Sequence, residues 1–165
     1  MNILHQSAFG IDLNLDPLWC AWFSGWIDGE GSFMGKIHNE NMCISARLQV
    51  NVRDDDSPLV YNVRDVLKCG FIHHVRASLP TAKSYSPNRR TTVQWICEDS
   101  GACRHILIPL FDKYPLHSKK GRDYKIWREI VMCTSEDWHL NGNRNHILDL
   151  CQQLKDIKKY VSPTL

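Results

Sequence analysis

The residues best suited to chemistry are two acids that alternate with glycines in the run Asp28-Gly29-Glu30-Gly31. They follow an apolar stretch of helical length, which begins at the capping pair Asp16 and Pro17. The carboxyl end of a helix carries partial negative charge, so carboxylates placed there are unfavourable unless a cation compensates them. A divalent metal ion, bound by carboxylate and backbone carbonyl oxygens, is the compensation that this spacing predicts.

The nine residues from Phe23 to Gly31 resemble the signature of the LAGLIDADG homing endonucleases. The positions that match letter for letter are Gly25, Ile27, Asp28 and Gly31, while Ser24 and Gly29 stand for alanine and Glu30 replaces the final aspartate. The resemblance implies an α+β fold in which helices back a four-stranded antiparallel DNA-binding sheet, in the order αββαββα. It also implies site-specific hydrolysis of phosphodiester bonds in both DNA strands, which leaves 3′ overhangs.

The resemblance also assigns the catalytic groups. Glu30 and the Gly29 carbonyl would hold Mg²⁺, or Mn²⁺ in its place, with Ca²⁺ as a non-catalytic substitute. Residues 115–124 match a second recurring stretch of the family, a Pro-Leu pair followed by a lysine before an Asp-Tyr helix. That lysine lies near the scissile phosphate in the family, so Lys120 is the first candidate by spacing and Lys119 the alternative. Asp54, at the end of the second strand, is a candidate for ordering water.

Family members with two signatures act as monomers, and members with one act as homodimers. This sequence contains one copy, so the resemblance implies a single domain, residues 1–165, that dimerises through the motif helix at residues 17–28. Small side chains at three- and four-residue spacings predict the contact stripe of that helix, formed by Ala21, Ser24, Gly25 and Asp28. The implied partner is a long, pseudo-palindromic site in double-stranded DNA.

Alternating apolar and polar residues predict two antiparallel hairpins, one at residues 32–53 and one at residues 71–97. Arg, Lys, Gln, Asn and Ser side chains suit base edges and phosphates in a major groove, which admits a two-stranded ribbon. The positions expected to contact DNA are Ser32, Met34, Lys36, His38, Ser45, Arg47, Gln49, Asn51, Arg53, His73, His74, Arg76, Thr92 and Gln94. Neighbours on a strand point to opposite faces, so only one of the two histidines is expected to face DNA.

The long basic loop between the strands of the second hairpin is expected to reach phosphates outside the central groove. It contains two prolines, and long loops in compact domains are often functional. The residues assigned to these phosphate contacts are Lys83, Arg89 and Arg90. A solvated loop without such contacts is the alternative interpretation.

Composition limits the remaining possibilities. The chain has 165 residues and a formal net charge of +2, and its seven cysteines form no C-x-x-C pair. They are expected to be reduced thiols in the core, and zinc binding is the alternative, although their spacing fits no ligand pattern. No apolar run reaches membrane-spanning length, and residues 1–10 do not resemble a secretory leader. We therefore expect an intracellular protein with no membrane partner, in a compartment that the sequence does not specify.

A binding protein on the same fold is the rival to an enzyme. Some family members assist splicing of intron RNA as maturases, and others act as DNA-binding regulators that cleave nothing. The sheet face would serve these roles equally well. Glu30 favours the enzyme, because a chain without catalysis has no electrostatic need for a carboxylate at the end of a helix.

Overall fold

The computed structural model describes residues 15–37, 44–76, 90–135 and 144–158. A signature helix is followed by two strands, a helix, two more strands and a set of helices. The elements are α1 Pro17–Glu30, β1 Gly31–Ile37, β2 Ile44–Arg53, α2 Ser57–Leu67, β3 Phe71–Val75, β4 Thr92–Cys97, α3 Ser100–Ala102, a π-helical turn Cys103–Leu107, α4 Ile108–Lys113, α5 Lys120–Ser135 and α6 Arg144–Asp156. A single 3-10 turn, Asp54–Asp56, joins β2 to α2.

The four strands form one antiparallel sheet in the order β1-β2-β4-β3. The two hairpins are joined through their second strands, so β1 and β3 are the edges. The register aligns Gly31 with Val50 and Val50 with Trp95. The prediction of a four-stranded antiparallel sheet backed by helices is therefore confirmed.

Among the described residues, the helices pack on one face of the sheet, and the opposite face, the open face, carries no helix. Helices α5 and α6 contact β1, and α2 contacts β4. The inward side chains Phe33, Leu48 and Trp95 have no exposed surface, and the Phe33 and Trp127 rings lie 5.2 Å apart. Full burial of a large apolar side chain contributes about 1.5–3 kcal/mol, so this aromatic core holds the sheet against the helices.

Six of the cysteines lie in the described part of the chain, and all six are free thiols. Five are buried in the core, and burial raises the pKa of the Cys20 and Cys151 thiols. These thiols fit the predicted reduced core cysteines, while Cys43 lies outside the described residues. In the described ranges, no helix has both the length and the apolar character needed to cross a bilayer.

Candidate active site

Helix α1 begins where the sequence predicts. The Asp16 carboxylate accepts hydrogen bonds from the backbone N–H groups of Leu18 and Trp19, at 3.4 and 3.2 Å, and Pro17 is the first helical residue. The helix ends at Glu30, and Gly31 enters β1 directly with φ −67°, an ordinary extended conformation. A Cβ on Gly31 would lie 2.6 Å from the Ile27 carbonyl oxygen. Close approach, rather than a left-handed backbone, therefore requires glycine at position 31.

Asp28 is bound by the loop that leads into α5. Its carboxylate accepts hydrogen bonds from the His117 and Ser118 backbone N–H groups, both at 3.0 Å, and from the Ser118 hydroxyl at 2.8 Å. Desolvation alone would raise the pKa of this carboxyl, but the hydrogen bonds from Ser118 and His117 hold it below its usual range. Backbone and hydroxyl donors thus compensate this negative charge at the helix end. The place of Asp28 in a dimer stripe stays a prediction, with its carboxylate already bound within the chain.

The same loop brings Lys120 to the end of the signature helix. The Ser118 hydroxyl accepts a hydrogen bond from the Lys120 backbone N–H at 3.1 Å. The Lys120 ammonium donates to the carbonyl of Gly31, the residue after Glu30. Lys119 is exposed, and its backbone carbonyl accepts from the Arg122 N–H within the turn. Of the two candidate lysines, Lys120 is the one that the structure brings next to the acidic turn.

A second lysine binds the same edge strand. The ammonium of Lys158, which follows α6, donates to the Phe33 carbonyl, two residues beyond the Gly31 carbonyl. Desolvation lowers the pKa of Lys158, and the nearby Lys120 charge acts in the same direction. Two ammonium groups thus donate to carbonyls of β1, and no sequence pattern pointed to Lys158.

Glu30 and Gly29 lie exposed at the tip of α1. Among the described residues, no group of three or more His, Cys, Asp and Glu side chains is arranged to hold a metal ion. A single chain therefore offers the Glu30 carboxylate and the Gly29 carbonyl at this tip. Both are hard oxygen donors of the kind that Mg²⁺, Mn²⁺ and Ca²⁺ accept, and they fit such an ion as part of a larger ligand set.

The predicted stripe of small residues divides between two sides of α1. Ser24 is 4% exposed, and its hydroxyl donates to the Tyr114 carbonyl, so this side chain lies in the chain's own core and its predicted contact with a second copy stays a prediction. Ala21, Gly25 and Gly29 are exposed, and a Cβ added at either glycine would meet no described residue within 4 Å. We call the exposed side the outer face of α1; it consists of Leu18, Ala21, Trp22, Gly25 and Gly29.

The open face of the sheet carries most of the positions predicted to contact DNA. Ser32, Met34 and Lys36 on β1 align with Gln49, Arg47 and Ser45 on β2, and Asn51 and Arg53 align with Gln94 and Thr92 on β4. Asn51 follows Val50, the partner of Gly31, so it is the outward β2 residue next to the turn that bears Glu30. Arg76 and Arg90 are exposed at the ends of the second hairpin. His38, Lys83 and Arg89 lie outside the described residues.

Two predicted DNA contacts are used differently by the structure. His74 aligns with the inward Val93, and its Nε2 lies 3.0 Å from the Tyr61 hydroxyl, so His73 is the outward histidine. Arg47 binds Glu98 through Nε, at 2.8 Å, and through Nη2, and its side chain is only 14% exposed. The outward side of β2 has no acid of its own, but Glu98, just after β4, supplies one.

Arg53 and Asp54 lie at the end of β2. Arg53 forms an ion pair with Asp55 at 2.6 Å, but more than half of each side chain is exposed, so the pair is weak and easily exchanged. Asp54 is exposed in the 3-10 turn, and its N–H donates to the Thr91 carbonyl at 3.3 Å. Both side chains remain accessible at the end of the sheet.

Curated relatives of the chain are intron-encoded proteins. Probable intron-encoded endonuclease 2 of Neurospora crassa is 26% identical over 148 residues, which are 84% of this chain and 29% of that protein. Probable intron-encoded endonuclease 3 of the same fungus is 28% identical over 116 residues, which are 70% of this chain and 20% of that protein. The chain thus spans less than a third of the length of these relatives.

Similar folds occur among solved structures of homing endonucleases. A structure of I-SmaMI bound to uncleaved DNA target in the presence of calcium ions is 26% identical with a TM-score of 0.66, and the match covers 91% of this chain and 47% of that one. The homing endonuclease I-TnaI shares the fold at 20% identity and a TM-score of 0.64, over 87% of this chain and 95% of its own.

The family match covers the site. A sequence model of the LAGLIDADG endonuclease family matches residues 23–131, from the signature helix through the sheet and most of α5. These residues include Glu30, Lys120 and the loop that joins them through Asp28 and Ser118. The chain therefore belongs to the LAGLIDADG endonuclease family.

Proposed function

We propose that this chain is a metal-dependent endonuclease that acts as a homodimer on a long, pseudo-palindromic DNA site. It would hydrolyse one phosphodiester bond in each strand and leave 3′ overhangs. The observation that carries the proposal is the placement of Lys120 beside the turn that presents Glu30. This turn lies at one end of an open sheet face with many hydrogen-bonding side chains. A relative named as an endonuclease and a neighbour bound to DNA support the same activity.

The Glu30 carboxylate and the Gly29 carbonyl would hold Mg²⁺ or Mn²⁺. When bound, such an ion supplies an activated water and stabilises the leaving 3′ oxygen. Lys120 contributes fixed positive charge next to the scissile phosphate, and its hydrogen bond to Gly31 orients that charge before substrate arrives. Asn51 and Asp54, at the same end of the sheet, are the polar groups available to order water.

The outer face of α1 would pack against its own copy. Glycine in a helix interior costs about 1 kcal/mol relative to alanine, and the packing of the described residues requires no glycine at position 25 or 29. Leu18 and Trp22 expose 80% and 41% of their surface on the same side of the helix. A two-fold contact here would bring the two Glu30 carboxylates together, and like charges so close would force one of them to protonate unless cations bridge the pair.

Glu30→Gln tests the proposal, because the amide keeps the size of the side chain and removes its charge. We expect Mg²⁺-dependent cleavage of a target selected from a randomised library to fall about a hundredfold to a thousandfold, the size of losing one group that stabilises the transition state electrostatically. Binding of the same duplex in Ca²⁺ should stay within about threefold of wild type. The matched control is Glu129→Gln, because Glu129 is an exposed acid on α5 that pairs with His146 on α6. This variant should cut normally.

Unchanged cleavage by Glu30→Gln would contradict the assignment of the catalytic acid. A wild-type chain that binds its duplex but cuts neither strand in Mg²⁺ or Mn²⁺ would contradict the enzyme. That result would favour the non-cleaving alternatives, an intron RNA-binding maturase or a DNA-binding regulator.

A further inference from the structure

Among the described residues, the open face of the sheet carries one large apolar side chain with substantial exposure, which hydrogen bonding to bases does not explain. Phe71 is 45% exposed, and the register aligns it with Ile96 on β4, which in turn aligns with Gln49. Other large apolar side chains with substantial exposure in the described residues lie on α1, on α2, at the end of β1 and after α6. Phe71 is the one that projects from the face proposed to meet DNA.

The direction of Phe71 is fixed by the residues before it. Gly70 has φ +77°, a conformation that favours glycine, and a Cβ there would lie 2.5 Å from Trp95 Nε1. The same indole nitrogen donates to the Cys69 carbonyl at 3.1 Å, and Trp95 is fully buried. The entry to β3 is therefore anchored on a core residue, so Phe71 cannot rotate inward without breaking this contact.

Ile96 lies beside the exposed ring on the same face. Its cross-strand partners are Phe71 and Gln49, and it is only 3% exposed, so it gives the ring an apolar neighbour rather than further exposed surface. The next row of the sheet is polar, with His73 aligned with Gln94. One exposed ring with a buried apolar neighbour is too small for a protein interface, but it fits a single methyl group.

In the major groove, the thymine C5 methyl is the apolar group that a base edge offers. We propose that Phe71, backed by Ile96, contacts this methyl group and selects thymine at one position in each half of the target. The inference rests on the proposed function, because it requires the outer sheet face to lie in a major groove. The proposal assigns a base preference to Phe71, whose side chain has no hydrogen-bond donor or acceptor.

Replacing thymine with deoxyuridine tests the contact, because this change removes the methyl group and leaves every hydrogen-bonding group in place. We would exchange each thymine of the selected duplex in turn and measure binding in Ca²⁺. We expect one position per half-site at which the wild-type chain binds roughly fourfold more weakly, the effect of about one buried methyl group. Phe71→Ala should bind the thymine and deoxyuridine duplexes equally at that position and match wild type at the others.

His74→Ala is the matched control, since His74 lies on the same strand but faces inward, and it should retain the full methyl effect. The scan with the wild-type chain needs no variant, so misfolding of Phe71→Ala cannot hide the answer. If the chain binds and cuts its target but no thymine shows an effect that depends on Phe71, the inference is overturned and the endonuclease proposal stands. If no duplex from the library is bound, the proposed function itself fails, and the inference with it.

Discussion

The two sides of helix α1 differ in what their residues contact. On the inner side, Ser24 and Asp28 are fully engaged by the loop that follows α4, through the Tyr114 carbonyl and the Ser118 donors. On the outer side, a Cβ added at Gly25 or Gly29 would meet no described residue within 4 Å. The inner side is packed by the chain itself, whereas these two outer positions contact nothing in the part of the chain that the structure describes.

The difference shows how one helix can serve both stability and assembly. Polar residues on the inner side place Lys120, because the Asp28 and Ser118 contacts set where α5 begins. Small residues on the outer side leave room for a close approach by another backbone. Glu30, at the tip, lies where the two sides meet. In the proposed dimer, its environment depends on both.

Gly25→Arg is expected to have the largest effect on cleavage, because it would block the proposed dimer contact. It acts on the outer face of α1 alone. A long charged side chain at position 25 has open space in the single chain but would prevent two helices from packing closely. We expect the folded chain to sediment as a monomer, with and without target DNA, and to lose double-strand cleavage. Thermal unfolding of the dilute protein should show that the subunit itself remains folded.

Gln152→Arg is the matched control, since Gln152 is an exposed position on α6 whose amide binds Asp156 on the same helix. It adds the same charge away from α1 and should leave assembly and cleavage unchanged. A Gly25→Arg chain that still dimerises and cuts would remove the outer face of α1 from the proposed interface.

Asp28→Asn should have the next largest effect, which is a loss of stability of the folded subunit. It acts on the inner side of α1. Hydrogen bonds to a charged group contribute about 1.5–3 kcal/mol, so we expect a loss of that order in the free energy of unfolding at pH 7, measured in urea. The folded pKa of Asp28 is lowered, so its contribution is present above the ordinary value near 3.8 and is lost as the pH falls through the folded pKa. The gap between wild type and variant should therefore narrow below about pH 4.

Asp65→Asn provides the comparison for Asp28→Asn, because the exposed Asp65 pairs with its neighbour Arg64 on the surface of α2. An exposed pair is worth about 0–1 kcal/mol, so little change is expected. If Asp28→Asn were equally mild, the inner side of α1 would not be what positions the loop before α5.

Local patterns predicted these elements because each strand of the first hairpin buries one face and helix α1 begins at a recognisable cap. Asp16 and Pro17 marked the start of α1, and strict alternation marked β2. Hydrogen-bond partners that are distant in the sequence could not be predicted from such local patterns. Asp28 binds residues about 90 positions away, and Arg47 binds Glu98 across 51 positions. The spacing of small residues could not separate Ser24 from Gly25, because the direction of a side chain depends on what packs around the helix.

Arg47, on the open face of the sheet, shows the same contrast as the two sides of α1. Its replacement should have the smallest effect of the changes considered, and that effect is on DNA binding. As an outward arginine on β2, it was expected to read a base, a contact worth about 1–3 kcal/mol in specific binding. Its pairing with Glu98 leaves it 14% exposed, so it resembles the inner side of α1, where the chain uses its own polar groups. We expect Arg47→Ala to weaken DNA binding by no more than about 1 kcal/mol, and on all duplexes alike. The cause would be the unpaired Glu98 carboxylate, which repels phosphates.

A double-variant cycle separates the two roles of Arg47. If Arg47 acts by neutralising Glu98, then adding Glu98→Gln to Arg47→Ala should restore affinity, because no charge is left to repel the duplex. If Arg47 leaves Glu98 and contacts a base when DNA is bound, the second change should restore nothing, and the loss should be confined to one base pair. Measuring binding of single-base variants of the target in Ca²⁺ distinguishes these outcomes. The first outcome would extend the distinction seen on α1, between side chains used within the chain and those free for a partner, to the DNA-binding face.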